Sequence, residues 1–250
     1  MINWDGDVIF LSCRPYGENG VIASVFSKDF GRYKGWVFGG NSLKRKSCLQ
    51  QGNYLSAQWK ARIPEQMGTI KLELIKPISI EIIEKPIKLG ILNSMCAITD
   101  LILPEREPNQ KIFENTKKLL GLIGEETISD LKCLKNYIHW ELDLLSDLGF
   151  GLELSKCIVT GSDKELSFVS PKSGKAVCNK VGMPYKNKLL ILPRFLGGII
   201  QNGCEDEKND ILNGFNLSGY FLKSCFAEYH SKNTPRPRQW LLQLVSNIDL

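Results

Sequence analysis

Six cations and two aromatic rings fall between residues 14 and 46, in a pattern that could bind a polyanion. Arg32, Lys34, Trp36 and Phe38 alternate, so an extended backbone puts all four on one face. Lys44, Arg45 and Lys46 follow at once, and Arg14 precedes them. Cations of this kind neutralise phosphates, and rings beside them stack on unpaired bases for roughly 1–3 kcal/mol per base. A second placement also fits the pattern, with Trp36 and Phe38 turned into a β core and the lysines merely solvated. On the first placement the DNA-binding set is Arg14, Arg32, Lys34, Trp36, Lys44, Arg45 and Lys46.

Other chemistry is weakly represented. The phosphate-cradling loop GxxxxGK[ST] is missing: Gly174-Lys175 runs into Ala176, and Val169 stands where its first glycine would fall. His139 and His230 are the only histidines, and Glu141 has no neighbouring carboxylate suited to acid–base work. The eight cysteines are widely spaced without a CxxC pair, which fits reduced, apolar thiols better than a disulfide framework. A non-enzymatic chain without cofactors is the expectation. A thiol- or metal-dependent enzyme would betray itself by stoichiometric metal or by one cysteine of strongly depressed pKa.

The charge is segregated. Residues 1–80 carry a net +5, residues 81–150 a net −4, and residues 151–190 a net +4. A basic surface set apart in this way suits a polyanion partner. No run of 18 apolar residues occurs, and the acidic N-terminus lacks the basic start of a secretory signal, so a cytoplasmic, nucleoid-associated protein is expected.

The elements that must position these residues change character along the chain. Val8 to Arg14, Val21 to Phe26, Arg32 to Phe38, Tyr54 to Arg62 and Thr69 to Lys76 alternate with period two and are separated by glycines. Five short strands predict a small closed barrel, of OB or SH3-like closure. After Pro86 the spacing becomes helical, over residues 89–103, 108–122 and then from Ser129 as N-cap to Gly149. Residues 155–190, rich in Lys, Gly and Ser, predict a loop-rich insertion, and helices return over 206–212, 217–229 and 237–245.

The stretch Trp140-Glu141-Leu142-Asp143-Leu144-Leu145-Ser146-Asp147-Leu148-Gly149-Phe150, running on to Cys157, resembles the central signature of the RecO family. Phe168-Val169-Ser170-Pro171-Lys172-Ser173-Gly174 is similar to the family segment that follows, and Gly17-Glu18, Phe30-Gly31-Arg32 and Leu49-Gln50-Gln51-Gly52 keep the family's order. Leu103-Pro104-Glu105-Arg106-Glu107-Pro108 resembles a segment of α-proteobacterial members. The resemblance implies an α+β chain: an OB-fold over residues 1–80, a helical domain over 81–250, and a zinc-finger-like insertion at 155–190. It implies a recombination mediator in DNA repair that binds and anneals single- and double-stranded DNA. Its implied partners are RecR, the tail of single-strand-binding protein and RecA. A generic single-strand binder without mediator activity is the nearest alternative. Zinc-binding relatives supply two C-x2-C pairs, but here Cys157 is followed by Thr160 and Cys178 by Val181, so the insertion is expected to be degenerate and metal-free.

Overall fold

The computed structural model describes residues 2–40, 42–63, 65–199, 206–228 and 234–247, with the side chains of Leu43 and Lys44 also outside the description. Alternation becomes strand throughout the first 76 residues: β1 (Ile2–Tyr16), β2 (Gly20–Ser27), β3 (Gly31–Phe38), β4 (Tyr54–Ala61) and β5 (Thr69–Lys76). They close a barrel in the order β1-β2-β3-β5-β4, consistent with an OB-fold. The long β1 serves two partners. Its first half pairs antiparallel with β4 and its second half with β2, across a bulge between Phe10 and Ser12. Closure comes where Trp36 of β3 meets Thr69 of β5 in parallel, with the Trp36 N–H donating to the Gly68 carbonyl at 3.0 Å.

Inward residues of each strand fill the barrel: Trp4, Val8, Phe10, Val21, Ala23, Val25, Val37, Leu55, Ala57, Trp59, Ile70 and Leu72. Trp59 is almost wholly buried, and its indole N–H reaches the carbonyls of Lys34 and Met67 at 3.1 and 2.9 Å. That satisfies a donor which burial would otherwise leave costly.

The chain divides into two compact units, Met1–Ile128 with Pro235–Arg238 and Ser129–Thr234 with Gln239–Leu250. The strand-to-helix change near residue 80 is therefore not where the first unit ends. Between the strands lie two single-turn helices, α1 (Leu43–Lys46) and α2 (Ile78–Glu81), and after them come α3 (Pro86–Ile102) and α4 (Gln110–Gly124). β2 is buried on both faces: its odd residues point into the barrel, and Phe26 on its other face meets Phe113 of α4 edge-on at 5.4 Å. α4 starts one residue later than its proline suggests, because the Asn109 side chain accepts from the Ile112 N–H at 3.0 Å.

In the second unit α5 (Asp130–Asp147) begins at Ser129, whose hydroxyl accepts from the Lys132 N–H as expected of an N-cap. Two expected helices are one, α7 (Glu207–Glu228), which runs through Gly214 where a Cβ would press on Ile138 of α5. α5 and α7 are tied by a buried carboxylate: Glu141 accepts from the hydroxyls of Tyr137 and Ser218, each at 2.5 Å. The expected loop-rich insertion holds a three-stranded sheet, β6 (Leu166–Val169), β7 (Ala176–Cys178) and β8 (Leu190–Ile191), in the order β7-β6-β8. A short turn of helix, α6 (Asn179–Gly182), follows β7. The last helix, α8, spans Arg236–Asn247. None of the helices, among the described residues, is long and apolar enough to cross a membrane.

Candidate nucleic-acid interface

The register of the barrel sets the candidate cations in rows. Ser12 lies opposite Ser24, which lies opposite Lys34; Arg14 lies opposite Ile22, which lies opposite Trp36. Alternation along β3 holds: Val37 faces the core, while Arg32, Lys34, Trp36 and Phe38 share the other face. Trp36 lies across Gly20 of β2, where any Cβ would collide with its indole, and meets Phe38 edge-on at 5.7 Å. Phe38 is 71% exposed, so the pair forms an aromatic step on the barrel exterior, and the core placement of the two rings does not occur.

The cations of that face differ sharply in what they meet. Arg32 is buried, which corrects its expected role in touching phosphate. Its Nε donates to the Leu103 carbonyl at 2.7 Å, and Nη1 lies 3.4 Å from both Asp100 and Glu105. Lys34 is half-exposed but holds Glu105 at 2.5 Å. Burial alone would raise the Glu105 carboxyl; the hydrogen bond and charge of Lys34, with Arg32 and Arg106, outweigh it and hold the group below its usual range. Asp100 accepts from Ser12 and Ser24, each at 2.6 Å. The acidic stretch after residue 80 therefore supplies counterions to β3.

Arg14 is exposed and has no ion pair among the described residues; it lines a pocket of about 290 Å³ with Ser12, Ser24, Lys34 and Asp100. Arg45 and Lys46 are exposed at the end of α1, a single helical turn where a solvated loop was expected. Arg45 donates to the Leu72 carbonyl at 3.3 Å, and Lys46 has no ion pair among the described residues. The side chain of Lys44 lies outside the described residues. Sequence reasoning passed over Lys60 and Arg62, which line a second pocket, of about 440 Å³, with Gln66, Gly68 and Thr69. Their signal was available, since Lys60 occupies the polar side of the β4 alternation.

The second basic segment carries Lys172, Lys180, Lys186 and Lys188 exposed, while Lys175 pairs with Glu153 at 2.9 Å. Its core contains both thiols of the degenerate finger, Cys157 and Cys178, with Leu166, Phe168, Val169, Ala176 and Leu192, and Val181 packed against it. Thr160 Oγ1 lies 3.9 Å from Cys178 Sγ, so the structure does bring positions 157, 160 and 178 together. No group of three or more His, Cys, Asp or Glu able to hold a metal occurs among the described residues, so the zinc-finger-like description of this element has no metal-ligand set behind it. Burial by itself would raise the Cys157 thiol. Hydrogen bonds from the Thr160 hydroxyl and from the N–H groups of Cys178, Thr160 and Val159 prevail and bring it to about 6. Cys157 is only 2% exposed. His139 is exposed against the edge of Phe195, and His230 and Cys204 lie outside the described residues.

A five-stranded barrel with helices packed on its strands, followed by helices that carry a small basic sheet, defines a barrel-and-helix protein with cations grouped on two surfaces. Residues 1–78 match the family model described as recombination protein O N terminal, and residues 83–224 match recombination protein O C terminal. The chain belongs to the RecO family of DNA repair and recombination proteins. It is 38% identical over 234 residues to the DNA repair protein RecO of Rhodospirillum centenum, covering 92% of this chain and 90% of that one. It is also 38% identical over 243 residues to the DNA repair protein RecO of Bartonella bacilliformis, covering 97% and 96%. Both organisms are α-proteobacteria, in keeping with the resemblance carried by Leu103–Pro108.

Proposed function

We propose that this chain is a DNA-binding recombination mediator: it holds single strands on the barrel, anneals complementary strands, and helps load a recombinase onto strands coated by single-strand-binding protein. The observation that carries this reading is family membership over both halves of the chain. The exterior aromatic step Trp36–Phe38, flanked by Arg14 and Lys46, supports it with chemistry suited to bases and phosphates. RecR, the single-strand-binding protein tail and RecA are the proposed partners, and the cytoplasm, at the nucleoid, is the proposed location.

Annealing of two complementary oligonucleotides tests it. The purified chain should accelerate annealing without ATP, because no nucleotide-cradling loop is present in the sequence. With RecR it should speed RecA assembly on coated strands. Annealing that required ATP hydrolysis would overturn the non-enzymatic reading, and binding without any effect on coated strands would reduce the chain to a generic single-strand binder.

One observation favours the thiol-enzyme alternative, the depressed pKa of Cys157. Its burial opposes that reading, since a nucleophile must reach a substrate.

A further inference from the structure

The segment between α3 and α4 crosses the cation face of β3 as an acidic strap. Glu105 bridges in parallel to Arg32, and the Arg106 N–H donates to the Arg32 carbonyl at 2.8 Å. Arg106 adopts a left-handed φ of 66°, and its guanidinium lies over the rings of Tyr33 and Trp59 at 5.4 and 5.7 Å. Gly31, at φ 75°, admits the strap, for any Cβ there would strike the Glu107 backbone. The strap backbone is thus fixed at Arg106, while the Glu105 side chain, 40% exposed, rests on Lys34, 41% exposed.

We propose that Glu105 is an intramolecular stand-in for a DNA phosphate, and that the pocket between Arg14 and Lys34 receives a phosphodiester when the Glu105 side chain swings away. This rests on the DNA-binding reading above. Three observations support it. A carboxylate and a phosphate offer an ammonium the same oxygen acceptors, and an ion pair this exposed is weak enough to exchange. The pocket beside Lys34 carries a second cation, Arg14, without a carboxylate partner among the described residues. The acid inside the pocket, Asp100, is already engaged by Ser12, Ser24 and Arg32, so Lys34 and Arg14 remain for an incoming anion. Exchange of one acceptor for another leaves the backbone of the strap in place, because Arg106 and not Glu105 anchors it.

Binding of a fluorescent oligothymidylate to the full chain across a salt series tests the idea. Glu105→Gln should tighten binding at low salt by up to about fivefold, the scale of one exposed ion pair. It should also steepen the log–log salt slope by about 0.7, one added phosphate contact. Lys34→Ala in the Glu105→Gln background should remove both gains, and Arg14→Ala should weaken binding in either background. Inorganic phosphate at the same phosphate concentration should not compete; competition would assign the pocket to a small anion and overturn the proposal. Binding that is present yet indifferent to Glu105→Gln, or a gain that survives Lys34→Ala, overturns it too. Absence of binding in every variant would instead refute the DNA-binding reading itself, and the phosphate site with it.

Discussion

The barrel and the small sheet of residues 166–191 are held together by different means. The barrel has continuous ladders and an aromatic centre, in which Trp4 stacks on Phe30 at 4.8 Å and Tyr33 meets Trp59 edge-on at 5.1 Å. The small sheet has strands of four, three and two residues, and relies on side-chain packing around Phe168 and on hydrogen bonds to a thiol. Long ladders tolerate a loose periphery; a sheet this short depends on each contact at its centre.

The largest effects should come from those two centres. Trp59→Ala should cost the barrel roughly 4 kcal/mol and Phe168→Ala the small sheet about 3 kcal/mol, by lost transfer energy and the cavities left behind. Hydrogen exchange read separately on β4 and on β6–β7 checks the contrast. Trp59→Ala should raise exchange along β4, and Phe168→Ala should do so along β6–β7. Equal losses everywhere from either variant would erase the distinction between the two regions.

A smaller effect depends on pH. The folded Cys157 thiol, at about 6, lies below its ordinary value of 9.0, so the unfolded chain binds the proton more tightly. Its contribution to stability is complete above pH 9.0, declines as pH falls, and is gone once pH is below about 6. Unfolding followed from pH 6 to 9 should therefore show a rise in stability that Cys157→Ser abolishes. The same slope in wild type and variant would place the titration elsewhere. The smallest effect is none at all. Chelation should leave the melting temperature unchanged, because a closed structural zinc site needs four ligands and only two thiols stand here. Zinc retained at about one per chain, with a lowered melting temperature after chelation, would contradict this.

The same contrast governs what the sequence revealed. Ile70 and Leu72 alternate with Lys71 and Glu73, so β5 was readable residue by residue. β6 is buried at all four residues and leaves no alternation to read, and β8 is too short to show a period. Ser129 announced α5 through its cap, whereas Gly214 fits inside α7 only because Ile138, 76 positions away, packs against it. The candidate interface was legible as a face but not as an inventory of free charge. Arg32 and Lys34 meet carboxylates about 70 residues further on, and no local pattern can report such a partner.

The helices laid on β1 and β2 carry a consequence for synthesis. The five strands have all been made by Lys76, yet Ile9, Leu11 and Phe26, which lie outside the barrel's own core cluster, are fully buried in the finished unit. α3 packs on β1, and Phe113 of α4 meets Phe26. A nascent chain that stops at the last strand exposes those apolar side chains to the cytosol, and a ribosome must add about 50 more residues before they are covered. Chains stalled in that interval are the ones a chaperone should find.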